Sequence, residues 1–308
     1  MQKGDSVLVF NNMPIYKVNN KKVEQLGLKR DGFGSEFELR DFFADNLEEI
    51  LGVRFLEKEY PTTDGRIDTL GIDEDNSPVI IEYKWKENEE VLSQGLFYLD
   101  WLLKNKRHFN LLVESKLGDD LEVSWSSPRV ILIARGFSRY IKSAVQRVEN
   151  VELKSYSLYD GDVLHIENEY SPLPEKPRNE SKIEVESVQL QDDEKYDLNY
   201  HLNITSPEMQ NSFHELRKRL LELSSVEELS EQKTGVTYRT TKSFARLEFR
   251  SSYIQVLLRE PVYPEDTQKL IKDVTANRWG YKGQVKFSPE SDINYIFSLL
   301  QASYNSTL

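Results

Sequence analysis

Residues 65–84 read GRIDTLGIDEDNSPVIIEYK, two apolar runs joined by Asp75-Asn76-Ser77-Pro78. Asn, Asp, Ser and Pro turn the chain because their side chains hydrogen-bond locally or pre-set the backbone angles, so the segment predicts a β-hairpin. Side chains alternate across a strand, which puts Ile80, Glu82 and Lys84 on one face of the second run. Arg66, Asp68, Leu70 and Ile72 share a face of the first. If the loop is Glu74-Asp75-Asn76, pairing Asp73 with Ser77 sets Asp68 opposite Glu82. Carboxylates facing each other across a strand pair repel. In a partly buried setting they need a proton, a cationic side chain or a metal ion between them.

Magnesium takes octahedral oxygen ligands and commonly uses one or two carboxylates, leaving room for water and substrate phosphate. Lys84 would point into the same pocket, where an ammonium group can hold an attacking water or neutralise charge building on phosphate. The plainer reading is a solvated strand face, since acid-x-lysine triplets are common and exposed ion pairs contribute little. The apolar setting of both acids, and the upstream Asp68 at hairpin spacing, favour the functional reading.

The rest of the first half supplies helices and strands around this hairpin. SEFELRDFFADNLEEILG has apolar residues at helical spacing and predicts a helix from near Ser35 that stops at Gly52. VRFLEKEY reads as a strand, Asn88 to about Leu112 as a second helix, and RVILIA (129–134) as a strand covered on both faces. GFSRYIKSAVQRVEN reads as helix, VELKSYSLY and DVLHIENEY as strands, and SVLVF and PIYKV near the start as short strand pieces. Strand, helix, strand in that order forms a crossover within one sheet. The fold class is thus α/β, a mixed sheet flanked by helices, over residues 1–170. Residues 171–197 carry three prolines, many charges and few large apolar side chains, as a linker does. Residues 198–308 read as a smaller α+β domain: helix PEMQNSFHELRKRLLEL, strands TGVTYRT, SFARLEFR, YIQVLLRE and GQVKF, and a closing helix DINYIFSLLQASY.

Composition narrows the chemistry. The 308 residues include no cysteine and four histidines, which excludes disulfides, thiolate zinc sites and thiol nucleophiles and suits a reducing cytoplasm. No apolar stretch is long enough to span a bilayer. The formal charge of −12 is opposite to the usual footprint of a nucleic-acid-binding protein. A nucleic-acid reading therefore rests on local patches, such as the lysines of NNKKVEQLGLKRDG and KNKRHF, or on a bound cation. Glu59 ahead of the hairpin is either near the metal or an ordinary charged strand end. His108, His165, His201 and His214 lack metal-like spacing. Trp279-Gly280-Tyr281 is either a base-stacking platform or a core aromatic beside a turn.

Asp68 followed by Glu82-Tyr83-Lys84 at the end of an apolar strand resembles the PD-(D/E)xK nuclease motif. Glu36 in the first helix is similar to the helical glutamate of many such nucleases. Gln94 and Tyr98 resemble the Q-x-x-x-Y element of the RecB-like and NucS-like branches. Arg66, two residues before Asp68, departs from the proline-led pair of the motif. NLEEILGVRFLEKEYP, GRIDTLGID, PVIIEYKW and QGLFYLDWLL also resemble a prokaryotic family labelled "predicted transport protein", which joins a NucS-like nuclease domain to a small C-terminal domain of unknown function. The resemblance implies a restriction-endonuclease-like core, with Asp68, Glu82 and the Tyr83 carbonyl as ligands of Mg2+ or Mn2+. It implies Lys84 as the water-orienting or charge-stabilising group, Glu36 as an outer ligand or helper acid, and Gln94 and Tyr98 as contacts to DNA or braces of the pocket. Many nucleases of this type dimerise, so a homodimer or partner subunit is a further expectation.

Two functions follow. One is a magnesium-dependent phosphodiesterase acting on DNA in repair, processing or defence. The other is a catalytically silent nucleic-acid-binding or regulatory module on the same scaffold, which the acidic charge favours.

Overall fold

A computed structural model describes residues 14–20, 22–29, 32–85, 90–119, 121–148, 150–171, 196–276 and 279–308. A short antiparallel pair, β1 (Tyr16–Asn19) and β2 (Lys22–Gln25), precedes the helices α1 (Glu36–Asp45) and α2 (Leu47–Leu51). Strands β3 (Val53–Thr62), β4 (Gly65–Asp73) and β5 (Pro78–Lys84) follow, then helices α3 (Val91–Lys104) and α4 (Lys106–Leu117). Strand β6 (Arg129–Ala134), helix α5 (Arg139–Val145) and strands β7 (Val151–Tyr159) and β8 (Val163–Tyr170) complete the first half. The second half contains α6 (Leu198–Leu202), α7 (Pro207–Leu221), β9 (Glu227–Gln232), β10 (Gly235–Arg239), β11 (Ser243–Phe249), β12 (Ile254–Leu258), β13 (Lys272–Asp273), β14 (Gly283–Phe287) and α8 (Ile293–Asn305).

The first sheet has the order β3-β4-β5-β6-β7-β8. It is antiparallel from β3 to β5, parallel from β5 to β7, and antiparallel again at β8. It is thus the mixed sheet that the sequence predicts. One face packs Val79, Ile81, Tyr83, Ile131 and Ile133 against Leu39, Phe43, Leu47 and Leu51 of α1 and α2. The other packs Leu70, Ile72, Ile80, Val130 and Leu132 against α3, α4 and α5 through Val91, Leu99, Leu102, Phe109 and Ile141. Every residue of β6 is buried, as an unbroken apolar strand between two helical layers must be. The second sheet, β13-β14-β12-β11-β10-β9, is antiparallel throughout and carries α7 and α8.

Two predicted helices are each divided by an asparagine. Asn46 ends α1 with φ −125°, and its side-chain amide donates to the Phe42 carbonyl at 2.7 Å. Asn105 ends α3 with φ −118° and donates in the same way to Trp101 at 2.7 Å. In both cases the side chain competes for a carbonyl one turn back and lets the axis change direction. Gly52 closes α2 at φ 65°, as predicted. Helix α5 is shorter than its predicted segment. The predicted strand SVLVF, the Asn88 start of the second helix and most of the predicted linker (172–195) lie outside the described residues. Strand β9 has no apolar alternation to reveal it. It pairs with β10 through the backbone and carries ion pairs, Glu227 with Arg239 of β10 at 2.9 Å and Glu228 with Arg217 of α7 at 2.7 Å.

Phe43 is fully buried, with its ring 5.8 Å from that of Tyr83 and 6.4 Å from that of Tyr156. Phe43→Ala should destabilise the protein by about 3–5 kcal/mol in urea unfolding. A loss below about 1 kcal/mol would show that this helix does not hold the sheet.

Candidate active site

The hairpin takes the predicted register. Thr69 pairs with Ile81, Leu70 with Ile80, Gly71 with Val79 and Ile72 with Pro78, and the Asp73 amide donates to the Ser77 carbonyl at 3.0 Å. The three-residue turn ends at Asn76 with φ 61°, a left-handed position that asparagine tolerates. The same register continued one step brings Asp68 opposite Glu82. There the side chains take over from the backbone ladder: the Asp68 amide donates to Glu82 Oε1 at 3.1 Å, and the Tyr83 amide donates to Asp68 Oδ2 at 3.1 Å.

Glu82 is fully buried. Burial, reinforced by the neighbouring Asp68 charge, pushes its carboxyl up to about 9. Burial likewise raises Asp68, against the opposing pull of the Tyr83 amide and Lys84. Among the described residues Glu82 Oε2 has no hydrogen-bond donor. A buried carboxyl oxygen in that position is satisfied by a proton or by a ligand.

Lys84 lies just beyond, its side chain 12 % exposed, and Nζ donates to Glu36 Oε1 at 3.4 Å. The other oxygen of Glu36 accepts from the Trp85 amide at 3.2 Å. Glu36 therefore engages Lys84 and the strand end. Among the described residues no group of three or more His, Asp or Glu side chains is arranged to hold a metal ion, so a cation here would rest on Asp68, Glu82 and main-chain or solvent oxygens. The Tyr83 ring points away into the α1 layer, and only its backbone faces the acids.

Tyr98, buried on α3, accepts the Arg66 amide at 3.1 Å through its hydroxyl and so braces the start of β4. Gln94, one turn earlier, is half-buried and makes no side-chain hydrogen bond to another described residue. Glu59 is bound by Arg40 at 2.6 Å and Arg66 at 3.2 Å, which makes it part of an ion network beside the acids. The sequence reading missed Arg40. It stands four residues after Glu36, hence on the same helix face, and that spacing is the signal that could have found it.

The weaker candidates lie elsewhere. Lys29 pairs with Asp162 at 2.6 Å and Lys104 with Asp100 at 2.7 Å. His201 is buried against the Ser230 carbonyl, and His108 stacks on Trp101. Trp279 joins the two halves, donating to Glu48 at 2.9 Å beneath the Arg54 guanidinium. A cleft of about 620 Å³, lined in part by Arg54, Asn76, Arg246 and Trp279, opens at the turn end of the hairpin, and Asp68, Glu82 and Lys84 are not among its walls. No helix among the described residues is long and apolar enough to cross a membrane.

Residues 35–113, which contain Glu36, Asp68, Glu82, Lys84, Gln94 and Tyr98, match the family profile "Endonuclease NucS C-terminal domain". A protein of Haemophilus influenzae described as "Uncharacterized protein" is 28 % identical over 295 residues, spanning 92 % of this chain and 97 % of that one. Among solved structures, "crystal structure of a repair endonuclease from Pyrococcus abyssi" is 24 % identical, with a TM-score of 0.28, over 39 % of this chain and 45 % of that one. "Structure of EndoMS-dsDNA2 complex" is 24 % identical, with a TM-score of 0.23, over 37 % and 41 %. The chain thus spans less than half the length of these solved structures.

Glu82 titrates near 4.5 when unfolded and near 9 in the fold. Between those values the native state holds a proton that the unfolded chain lacks, so stability falls as pH rises. The melting temperature of metal-free protein should drop from pH 7 to 9, and Glu82→Gln should show a shallower slope. Equal slopes would place the buried proton elsewhere.

Proposed function

We propose that this chain is a divalent-metal-dependent nuclease that hydrolyses phosphodiester bonds in DNA, with residues 1–170 as the nuclease-like domain and 198–308 as a second domain. The observation that carries this reading is the facing pair Asp68 and Glu82, with one buried Glu82 oxygen unpartnered and Lys84 alongside. Two acids forced together in an apolar strand pair are expensive to keep unless the site uses them. The match of residues 35–113 to an endonuclease domain family supports the same reading.

The donor set suits a hard cation: carboxylate oxygens and, at Tyr83, a main-chain carbonyl, with no sulfur or imidazole. Asp68, Glu82 and the Tyr83 carbonyl would hold Mg2+ or Mn2+, which when bound polarises phosphoryl oxygens and acidifies water. Lys84 supplies a positive charge where negative charge grows on the phosphate, and it orients the attacking water. Glu36 holds that ammonium group in place at 3.4 Å. Water adds to phosphorus, the ester P–O bond breaks, and the leaving oxygen takes up the proton. Gln94 would contact DNA or brace the pocket, and Tyr98, buried, would brace it through its hold on the Arg66 amide. The substrate is DNA in repair, processing or defence, handled in the cytoplasm by this chain as a homodimer or with a basic partner subunit that offsets its charge of −12. That same charge favours a second reading, a silent nucleic-acid-binding or regulatory module.

Incubation of supercoiled and single-stranded DNA with Mg2+ or Mn2+ separates the two. Wild type should cut, and Lys84→Ala should lose at least about 100-fold in rate, of the order of one positioned charge in a catalytic site. Intact DNA that is nonetheless bound by both proteins would establish the silent reading. Titration with Mn2+ should raise the melting temperature of wild type through ligand linkage and leave Asp68→Asn unmoved. A similar rise in both would remove Asp68 from the metal site.

A further inference from the structure

The end of the hairpin opposite the acids carries a second concentration of charge. Asp73, Glu74 and Asp75 are consecutive in the turn and all buried. Asp73 accepts the Asp75 and Ser77 amides at 2.9 and 2.8 Å and pairs with Arg129. Glu74 pairs with Arg259 and accepts the Ser243 amide at 3.0 Å. Asp75 pairs with Arg246 at 2.5 Å and meets the Tyr281 hydroxyl at 3.3 Å. Arg246, Arg259, Ser243 and Tyr281 all come from the second half. Arg129 continues the network through Glu152 at 2.9 Å to Arg239, also of the second half, at 2.7 Å.

Glu74 is packed closely against two glycines, while Glu74, Asp75, Arg246 and Tyr281 also border the cleft at the turn end. A Cβ at Gly52 would lie 2.7 Å from Glu74 Oε1, and one at Gly280 would lie 2.9 Å from Glu74 Cβ. One glycine belongs to each half, and both have φ in the left-handed region, 65° and 81°. The turn therefore sits in a socket whose charged lining is mostly supplied by the second half.

This socket acts on the acids through strand geometry. A one-residue slip between β4 and β5 would send Asp68 and Glu82 to opposite faces, and turn conformation is what sets hairpin register. Three adjacent carboxylates repel, so this turn keeps one conformation only while cations hold them.

We propose that Arg246 and Arg259 are positioning residues: the second half of the chain is an ionic clamp on the hairpin turn that fixes the register in which Asp68 faces Glu82. The clamp stands on the contacts above, and its effect on cleavage rests on the nuclease reading.

The test uses the full chain with Arg246→Ala/Arg259→Ala, the matching Arg→Lys pair, and amide hydrogen exchange. In the alanine variant, exchange at Asp68, Thr69, Ile81 and Tyr83 should quicken at least about 10-fold while the β7–β8 hairpin keeps its protection, with lysine restoring most of the loss. In DNA cleavage, kcat should fall at least about 10-fold with KM changed less than two-fold, the pattern of a lost transition-state arrangement. Faster exchange confined to residues 73–77 would overturn the clamp. So would an unchanged kcat, or a rise in KM alone, which would make the arginines DNA contacts. If wild type cuts no DNA, the nuclease reading fails and exchange alone decides the clamp. If the alanine pair does not fold, Glu74→Gln takes its place, with a smaller rise at Asp68 and Tyr83 expected and an unchanged pattern overturning the proposal.

Discussion

Ionised together, Asp68 and Glu82 would repel; what holds them in place is a proton on Glu82 and a pair of hydrogen bonds from backbone amides on the opposite strands, Asp68 N–H to Glu82 and Tyr83 N–H to Asp68. Those two bonds exist in a single register of a single hairpin. The helical layers, the parallel strand β6 and the socket around the turn all bear on keeping that register. Tyr98 steadies the outer end of β4 through the Arg66 amide. The apolar residues of β5 alternate into two cores, so either face would lose its packing if the strand slipped.

The hairpin carries excess acid at both ends, and each end resolves it differently. At the turn, Asp73, Glu74 and Asp75 each pair with a guanidinium, of Arg129, Arg259 and Arg246. At the other end, Lys84 is drawn toward Glu36, and one oxygen of Glu82 finds no donor among the described residues. Among the described residues, unpartnered buried atoms occur at both ends, Glu82 Oε2 at the acids and Arg246 Nε and Ser77 Oγ at the turn. What singles out the acid pair is two facing carboxyls with Lys84 alongside, where the turn offers a guanidinium to each carboxylate.

Much of this was legible in the sequence. The turn residues, the alternation in the two runs and the spacing from Asp73 to Ser77 were enough to place Asp68 across from Glu82, because hairpin pairing is local. The apolar run of β6 likewise announced a doubly covered strand. Helix ends were less visible, since Asn46 and Asn105 break their helices through side-chain bonds that leave the apolar pattern intact. The socket was invisible. Glu74 and Asp75 read as ordinary polar turn residues, and their partners Arg259 and Arg246 stand 185 and 171 residues away. Ion pairs between distant segments leave no periodicity in either one. Strand β9 was missed because EELSEQ shows no apolar alternation.

The seam between the halves is built from guanidinium groups on one side and carboxylates on the other. A second half cut away from the first would take Asp75 from Arg246 and Glu74 from Arg259, while Arg239 kept Glu227. Such a fragment would cling to any polyanion, and nucleic acid retained by it would report an exposed seam instead of a recognition surface.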